Sequence, residues 1–327
     1  MSKKKYLITG GTGFLGSALV RRLLSDGHEV TTFDDNSRGH PRRISSLNGA
    51  LNVISGDIRN PEVVRNAFSG MEAVVHMAAV NGTEFFYSKP ELVLDVAVRG
   101  ILNVIDSCRH HNIGELSIAS SSEVYQQPTH VPTSETERLI IPDISNPRYS
   151  YAGGKLLSEL VAFNYGLTGF ERVTVFRPHN VYGPDMGWEH VIPQLSLRLA
   201  ENSRTHPSGP VPLEIQGDGS PQRAFIHIDD FTAGLMLVLN HGEHRSLYHI
   251  GNPEEISNST LARKIAATRN REIEIIYGEE PSGATNRRCP DINKLIQLGF
   301  KPSISIDDGL KDTVKWYFDN AHLRSMP

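Results

Sequence analysis

Apolar positions set two rhythms along this chain. Short apolar runs recur at 6–9, 29–33, 52–55, 73–77, 116–119 and 173–176. Because they alternate with stretches of helical periodicity, these segments predict a parallel sheet flanked by helices. Between the first two runs, Leu15, Leu19, Val20, Leu23 and Leu24 recur at helical spacing, and Gly27 supplies a helix stop. A longer helix is predicted over 90–111, where Leu92, Val96, Ile101, Val104 and Ile105 form the apolar face, and another follows Tyr151. Strands alternating with helices predict an α/β fold built on a doubly wound parallel sheet. The second half is less regular. There "RTHPSGPVP" at 204–212 reads as a loop, helices are expected over 259–268 and 307–318, and no internal repeat is visible.

Composition narrows the class. The chain has 327 residues, enough for one large or two moderate domains, and a formal charge of -4, which argues against general affinity for nucleic acid or acidic membranes. Cys108 and Cys289 are its only cysteines and stand far apart, so neither a disulfide framework nor a zinc site is expected, and no metal is assigned. A reducing cytoplasm fits that usage. The lysines at 3–5 lead directly into "YLITGGTG" rather than into a signal-peptide apolar region. No segment reaches the roughly 18 apolar residues of a membrane span.

The stretch "ITGGTGFLG" puts Gly10, Gly13 and Gly16 between the first strand and first helix, where bare backbone lets a pyrophosphate reach N–H groups and the helix dipole. Gly11, Gly13 and Gly16 also satisfy G-x-G-x-x-G, a weak signal alone that the flanking strand, helix and downstream acid strengthen. The first domain is therefore expected to be of Rossmann type. Asp34, at the end of the second run, is placed to accept hydrogen bonds from ribose hydroxyls and to repel a phosphate there, favouring NAD over NADP; Arg38 is the residue that speaks for the phosphate. Asp35 is the neighbouring candidate, with a solvated turn as its simpler role. Asp57 and Ile58 end the third run and suit the adenine edge, although an Asx-turn explains Asp57 equally well.

In "YSYAGGK", Tyr151 and Lys155 are four apart and share a helix face. A tyrosine with a reference pKa of about 10 needs roughly 4 kcal/mol of differential stabilisation to become a base at neutral pH. A lysine one turn away and an oxidised nicotinamide, both cationic, supply charge of the right sign. Gly153 and Gly154 sit inside this helix, where each costs about 1 kcal/mol against alanine, so either a close approach or relaxed packing must explain them.

With these motifs in place, the chain resembles the extended short-chain dehydrogenase/reductase family of nucleotide-sugar epimerases, dehydratases and decarboxylases. "TGGTGFLG", "FDDNSRG", "GDI", "HMAA", "SSSEVY", "YAGGK", "RPHNVYGP", "GDGSPQRAFIHIDD" and "RRCPD" occur in the family's order. The resemblance implies tightly held NAD and a cofactor site extending to Phe14, Leu15, Asn36 and Ala78. It implies that Tyr151 removes a sugar hydroxyl proton, that Lys155 holds the nicotinamide ribose, and that Ser121 hydrogen-bonds the reacting oxygen. It also implies a nucleoside-diphosphate sugar as partner, with Ser122 at the sugar and Asn180, Arg223 and Arg288 near its phosphates, and a homodimer through the helices near 90–111 and 151–168. Residues 1–178, completed by a segment near 225–250, would bind NAD, and 179–327 would form mainly a smaller α/β substrate domain. Ala97 and Ile101 depart from the family's Asn and Thr around Gly100. The segment "DMGWEHVIPQ" is unfamiliar, and Trp188, Glu189 and His190 either line the sugar pocket or form a rigid loop.

Glu123 separates the possible reactions. A plain 4-epimerase needs no carboxylate at the sugar, whereas elimination or loss of carbon dioxide from a 4-keto sugar gains about 10² to 10⁴ from a placed acid or base. Glu123 thus favours decarboxylase- or dehydratase-type chemistry through a 4-keto intermediate, unless it only caps a loop. The remaining alternatives are a plain 4-epimerase, a net-release dehydrogenase or ketosugar reductase that would need exchangeable cofactor, and, in another class, a non-catalytic NAD-binding regulator. The intact Ser121, Tyr151 and Lys155 set counts against the regulator.

Overall fold

The computed structural model describes residues 3–279 and 287–325. Its first six strands are β1 (Lys5–Thr9), β2 (Glu29–Asp34), β3 (Leu51–Ser55), β4 (Ala73–His76), β5 (Glu115–Ala119) and β6 (Arg172–Pro178). Helices α1 (Phe14–Ser25), α2 (Pro61–Ala67), α3 (Thr83–Ser88), α4 (Pro90–His110) and α5 (Ser150–Tyr165) lie between them. The later strands are β7 (Val181–Tyr182), β8 (Val211–Ile215), β9 (Gln222–Ala224), β10 (Ile226–His227), β11 (Ser246–Ile250), β12 (Glu255–Ser257), β13 (Ile273–Tyr277) and β14 (Arg287–Arg288). With them come α6 (Val191–Thr205), α7 (Ile228–His241), α8 (Asn258–Ala267), α9 (Asn293–Gln297) and α10 (Ile306–Asp319).

The main sheet is parallel throughout and runs β11-β6-β5-β4-β1-β2-β3. Strand order reverses between β1 and β4, which opens a crevice at the carboxyl ends of the strands where ligands of such sheets bind. One face is sealed by α1 and α7 through Leu19, Leu23, Phe231 and Leu235, and the other by α2, α4 and α5 through Val64, Ile101, Val104, Ile105 and Ala162. Helix α1 ends where Gly27 adopts φ +86° and the His28 N–H closes onto the Leu23 carbonyl, so the predicted glycine stop forms.

A smaller lobe gathers α6, α8 and α10 around Ile192, Leu195, Leu199, Leu213, Leu261, Ile265, Leu310 and Val314. Two expectations change here. Helix α6 takes up the end of the segment 185–194, read as either a pocket wall or a rigid loop, and it persists to Thr205 while β8 starts at Val211, leaving only 206–210 of the predicted loop. Ile192, Leu195 and Leu199 form the buried stripe that drives it, and Pro193 falls in the first turn, where its missing N–H costs nothing. Among the described residues no helix is long and apolar enough to cross a membrane.

Candidate active site

A cleft of about 810 Å³ runs from the glycine turn across the catalytic stretch to the smaller lobe. Its cofactor end is built by backbone. Gly10 has φ +74° and lies so close to Ala78 that a Cβ would stand 2.8 Å from the Ala78 nitrogen; a Cβ on Gly16 would stand 2.1 Å from the Gly10 carbonyl oxygen. Helix α1 starts after Gly13 with no side-chain cap, and Phe14, Leu15 and Gly16 line the cleft with its first turn. That is a helix N-terminus prepared for an anion.

The residues expected at the adenosine lie outside this cleft, at the ends of β2, β3 and β4. The Asp34 carboxylate accepts from the Thr12 N–H at 3.0 Å and the Asn36 N–H at 2.9 Å, while Asn36, at φ +61°, keeps its buried Oδ1 without a protein donor. A buried amide oxygen beside an anchored carboxylate fits a ribose, so the residues present accommodate a dinucleotide. Asp35 instead accepts from the Ser37 N–H and hydroxyl in an exposed turn. Asp57 forms the Asx-turn considered above, with Arg59 N–H on its Oδ1 at 2.8 Å. The Arg59 guanidinium also grips it and holds its carboxyl below the usual range. Ile58 is fixed by Asn103, which donates to its carbonyl at 2.9 Å, and by Gly100, where a Cβ would come within 3.1 Å of it. Arg38 lies in the cleft, stacked 4.5 Å over the Phe85 ring.

Catalytic candidates converge where β5 ends. Tyr151 is buried and stacks on Phe86 with ring centres 5.1 Å apart. Burial pushes its phenol up to about 12, a hydrogen bond with Ser121 pulls the other way, and the Glu123 charge adds to the rise. The sequence reading assumed an ordinary tyrosine; two further units raise the stabilisation needed by about 3 kcal/mol. Lys155 donates to the Ala119 carbonyl at 2.7 Å and stands 5.9 Å from the Tyr151 ring; burial brings its ammonium down to about 8, against the pull of Glu159.

The two helix glycines differ. A Cβ on Gly154 would lie 2.7 Å from the Ala97 Cβ, so α4 and α5 meet there too closely for a side chain, and the small residue at 97 is part of that fit. A Cβ on Gly153 would meet nothing nearer than Ile141 at 3.8 Å.

At the far end β14 pairs with β9 in parallel, setting Arg288 against Arg223. Neighbours in register point to the same face, so two guanidiniums enter the cleft side by side. Burial and the Arg288 charge lower the Arg223 guanidinium to about 10. Arg288 is ion-paired with Glu123, and Arg148 and Arg223 add to the field. Burial opposes ionisation of Glu123, but these cations prevail and hold its carboxyl below the ordinary range. Ser122 is buried. Asn180, at φ +42°, lines the cleft and donates to the Ala224 carbonyl at 2.9 Å, tying β6 and β7 to β9.

Glu189 and His190 also line the cleft, while Trp188 packs on Trp316 and Tyr317. Asp185 just before them is clamped by Arg42 at 2.5 Å and Arg43 at 3.2 Å, and Tyr317 donates to the Met186 carbonyl at 2.6 Å. The unfamiliar segment is thus both a braced loop and a wall of the pocket. Sequence reasoning assigned no role to Phe86, Arg148, Arg198, Gln216 or Asn258, all of which line the cleft. Of these, only Arg148 left a trace, as a cation three residues before Tyr151.

A glycine-turn dinucleotide site joined to a serine, tyrosine and lysine constellation defines a dinucleotide-dependent enzyme of the short-chain dehydrogenase/reductase type. Residues 6–251 match the NAD-dependent epimerase/dehydratase family, and the chain belongs to that family, with NAD as its cofactor. It is similar to UDP-glucuronic acid decarboxylase 1 of Xenopus tropicalis, at 30% identity over 318 residues covering 96% of this chain and 72% of that one. UDP-N-acetyl-alpha-D-glucosaminuronate decarboxylase of Bacillus cytotoxicus is 29% identical over 325 residues, 96% of this chain and 98% of the relative. Among solved structures, a dTDP-glucose 4,6-dehydratase of Streptomyces venezuelae with NAD bound superposes at TM-score 0.86 with 28% identity, covering 97% and 98% of the two chains.

Proposed function

We propose that this enzyme acts on a nucleoside-diphosphate sugar through transient oxidation at C4, and that it then catalyses decarboxylation-type chemistry on the 4-keto sugar. The observation that carries the reading is Glu123 held ionised among Arg148, Arg223 and Arg288, two residues from Ser121. Bound NAD would supply the hydride acceptor, and in turn the donor, for the sugar carbon. Gly10, Gly13, Phe14, Leu15 and Gly16 would hold its pyrophosphate, Asp34 and Asn36 its adenosine ribose, and Asp57, Ile58 and Ala78 would flank the adenine side.

Tyr151 takes the proton of the reacting hydroxyl while Ser121 hydrogen-bonds the same oxygen. Lys155 holds the nicotinamide ribose and contributes positive charge to the phenol. Arg223 and Arg288 suit a diphosphate, since charge-assisted and bidentate bonds to phosphate are the strength of guanidinium. Asn180 and Ser122 would shape the sugar end.

Dehydration requires a proton donor for the departing hydroxyl. Ser122 is a poor one, and Glu123 is kept ionised. Loss of carbon dioxide needs no donor for a leaving hydroxyl: the carbon–carbon bond breaks toward the 4-keto oxygen, where Ser121 and the newly protonated Tyr151 stabilise the charge, and the enolate carbon then takes a solvent proton that Glu123 would relay. Plain 4-epimerisation is the second reading. It is favoured if the pairing of Glu123 with Arg288 serves only to aim the arginine.

Incubation with UDP-glucuronate, UDP-glucose, UDP-N-acetylglucosamine and dTDP-glucose in D₂O, followed by NMR and mass spectrometry, distinguishes these outcomes. Decarboxylation removes carbon dioxide and introduces carbon-bound deuterium, dehydration removes water, and epimerisation leaves carbon-bound protons in place. No conversion of any sugar, with no change in cofactor redox state, would return the chain to the regulator class. The homodimer remains part of the proposal, supported by the exposed Leu94, Leu157 and Leu160 on α4 and α5. So does the cytoplasm, where the two buried free thiols, Cys108 and Cys289, stay reduced.

A further inference from the structure

Tyr151 and Lys155 continue, one turn further along α5, to Glu159, so the three share one helix face. Opposite them runs the end of β5 and its continuation. Ser121 hydrogen-bonds Tyr151, the Ala119 carbonyl accepts from Lys155 at 2.7 Å, and the Ser120 hydroxyl donates to Glu159 Oε1. Three consecutive residues are thereby seated on three side chains of one helix. Ser120, Lys155 and Glu159 are all at most 5% exposed, so water does not compete for these contacts.

Glu159 is itself fixed from behind. Arg177 on β6 donates to it through Nε at 2.8 Å and Nη2 at 2.6 Å. The same guanidinium donates to the Tyr125 hydroxyl, which meets His249 Nε2 at 2.5 Å, and His249 Nδ1 lies 2.9 Å from the Asp291 carbonyl oxygen. A buried ion pair serving only as a strut is commonly replaceable by apolar side chains without loss of stability. What distinguishes this pair is its place, with one carboxylate a single turn from the candidate catalytic lysine and bonded to the residue before Ser121.

We propose that Glu159 is a positioning residue that keeps Lys155 protonated and, through Ser120, sets the strand end that presents Ser121 to Tyr151. The inference rests on the reading of Lys155 as the charged partner of Tyr151. Other titratable groups around the lysine do not supply the missing negative charge. His76 from β4 is driven to about 3 by burial and stays neutral, Arg177 from β6 is a cation, Tyr151 on the same helix is a neutral phenol, and Glu123 acts on Tyr151. Glu159 is the group that raises the lysine against its burial.

The test follows Lys155 directly and needs no turnover. In protein carrying ¹³Cε-labelled lysine and saturated with NAD, the Lys155 resonance, assigned through Lys155→Met, is titrated with pH. In Glu159→Gln its midpoint is expected to fall by about one unit or more, the scale of losing an opposite charge at close range. Ser120→Ala should leave that midpoint within about 0.3 units, because the carboxylate remains beside the lysine. An unshifted midpoint in folded Glu159→Gln overturns the proposal, whatever the enzyme's substrate proves to be. If that variant does not fold, Glu159→Asp, which draws the carboxylate back by one methylene and leaves Arg177 in place, is titrated instead, and a Lys155 midpoint that does not fall there overturns the proposal. Failure of the sugar panel above with a shifted Lys155 midpoint would reject the reaction assignment and leave the positioning role intact.

Discussion

Replacing Gly153 and Gly154 one at a time by alanine should give opposite results, although the two are adjacent on the same helix. At Gly153 the added methyl lies 3.8 Å from its nearest neighbour, an ordinary van der Waals contact, so the substitution gains the helix preference of alanine without a clash. That gain is about 1 kcal/mol. At Gly154 the same gain is set against a Cβ placed 2.7 Å from the Ala97 Cβ, about 1 Å inside normal carbon–carbon contact of about 3.5 to 4 Å. Two backbone-attached carbons cannot rotate apart, so α4 and α5 must separate. Overpacking of this kind typically costs about 1 to 3 kcal/mol, leaving Gly154→Ala neutral to about 2 kcal/mol destabilised. Because α5 also carries Tyr151 and Lys155, the displacement should appear as reduced NAD-dependent turnover, while Gly153→Ala keeps activity. Urea unfolding and turnover of the two variants, with Ala97→Gly added to Gly154→Ala as a rescue, provide the assay. Equal stabilities for the single variants, or no recovery in the double variant, would refute the packing argument.

Glu123→Gln should preserve formation of reduced cofactor on addition of substrate yet lower product release by about 10² to 10⁴; undiminished product formation would remove Glu123 from the chemistry. Since the arginines depress the Glu123 carboxyl, its ion pair contributes stability above the unfolded carboxylate value of about 4.3 and loses it as pH falls through the lower folded value. Unfolding of the wild-type chain followed through that acid range should therefore show a pH dependence that Glu123→Gln lacks. Asp34→Asn should weaken NAD by roughly ten- to hundredfold, the worth of hydrogen bonds to a charged group, and narrow discrimination against NADP in a fluorescence titration; equal affinity would exclude Asp34 from the ribose site. Leu157→Glu with Leu160→Glu should convert a dimer to a monomer by light scattering, and an unchanged mass would move the interface elsewhere.

The sequence disclosed what is local. Short apolar runs placed six of the seven strands of the main sheet and missed β11, and the glycine turn and the Tyr151 to Lys155 spacing survive because both are encoded within a few residues. What it withheld depends on pairings between distant segments. Arg223 and Arg288 stand side by side because β9 and β14 adopt parallel register, and Glu123 meets Arg288 across 165 positions of chain. Helix α6 was hidden by Pro193 and by polar residues flanking its stripe, although Ile192, Leu195 and Leu199 carried the spacing. Nothing around Ser120 in the sequence points to its partner, Glu159, because that residue lies on a helix 39 positions further along the chain. The tyrosine's elevated phenol was equally invisible, since burial is a property of the assembled site.

Both carboxylates near the catalytic tyrosine and lysine are held by arginines, yet the two arrangements serve different ends. Arg177 is buried with Glu159, and its remaining donors go to Tyr125 and the Glu135 carbonyl, so that pair is closed within the protein. Arg288 and Glu123 both line the cleft, so under the proposed function Arg288 is an arginine that a diphosphate can reach while Arg177 is not. The carboxylate–arginine pair beside Lys155 is thus closed to a ligand, and the pair beside Ser121 is open to one.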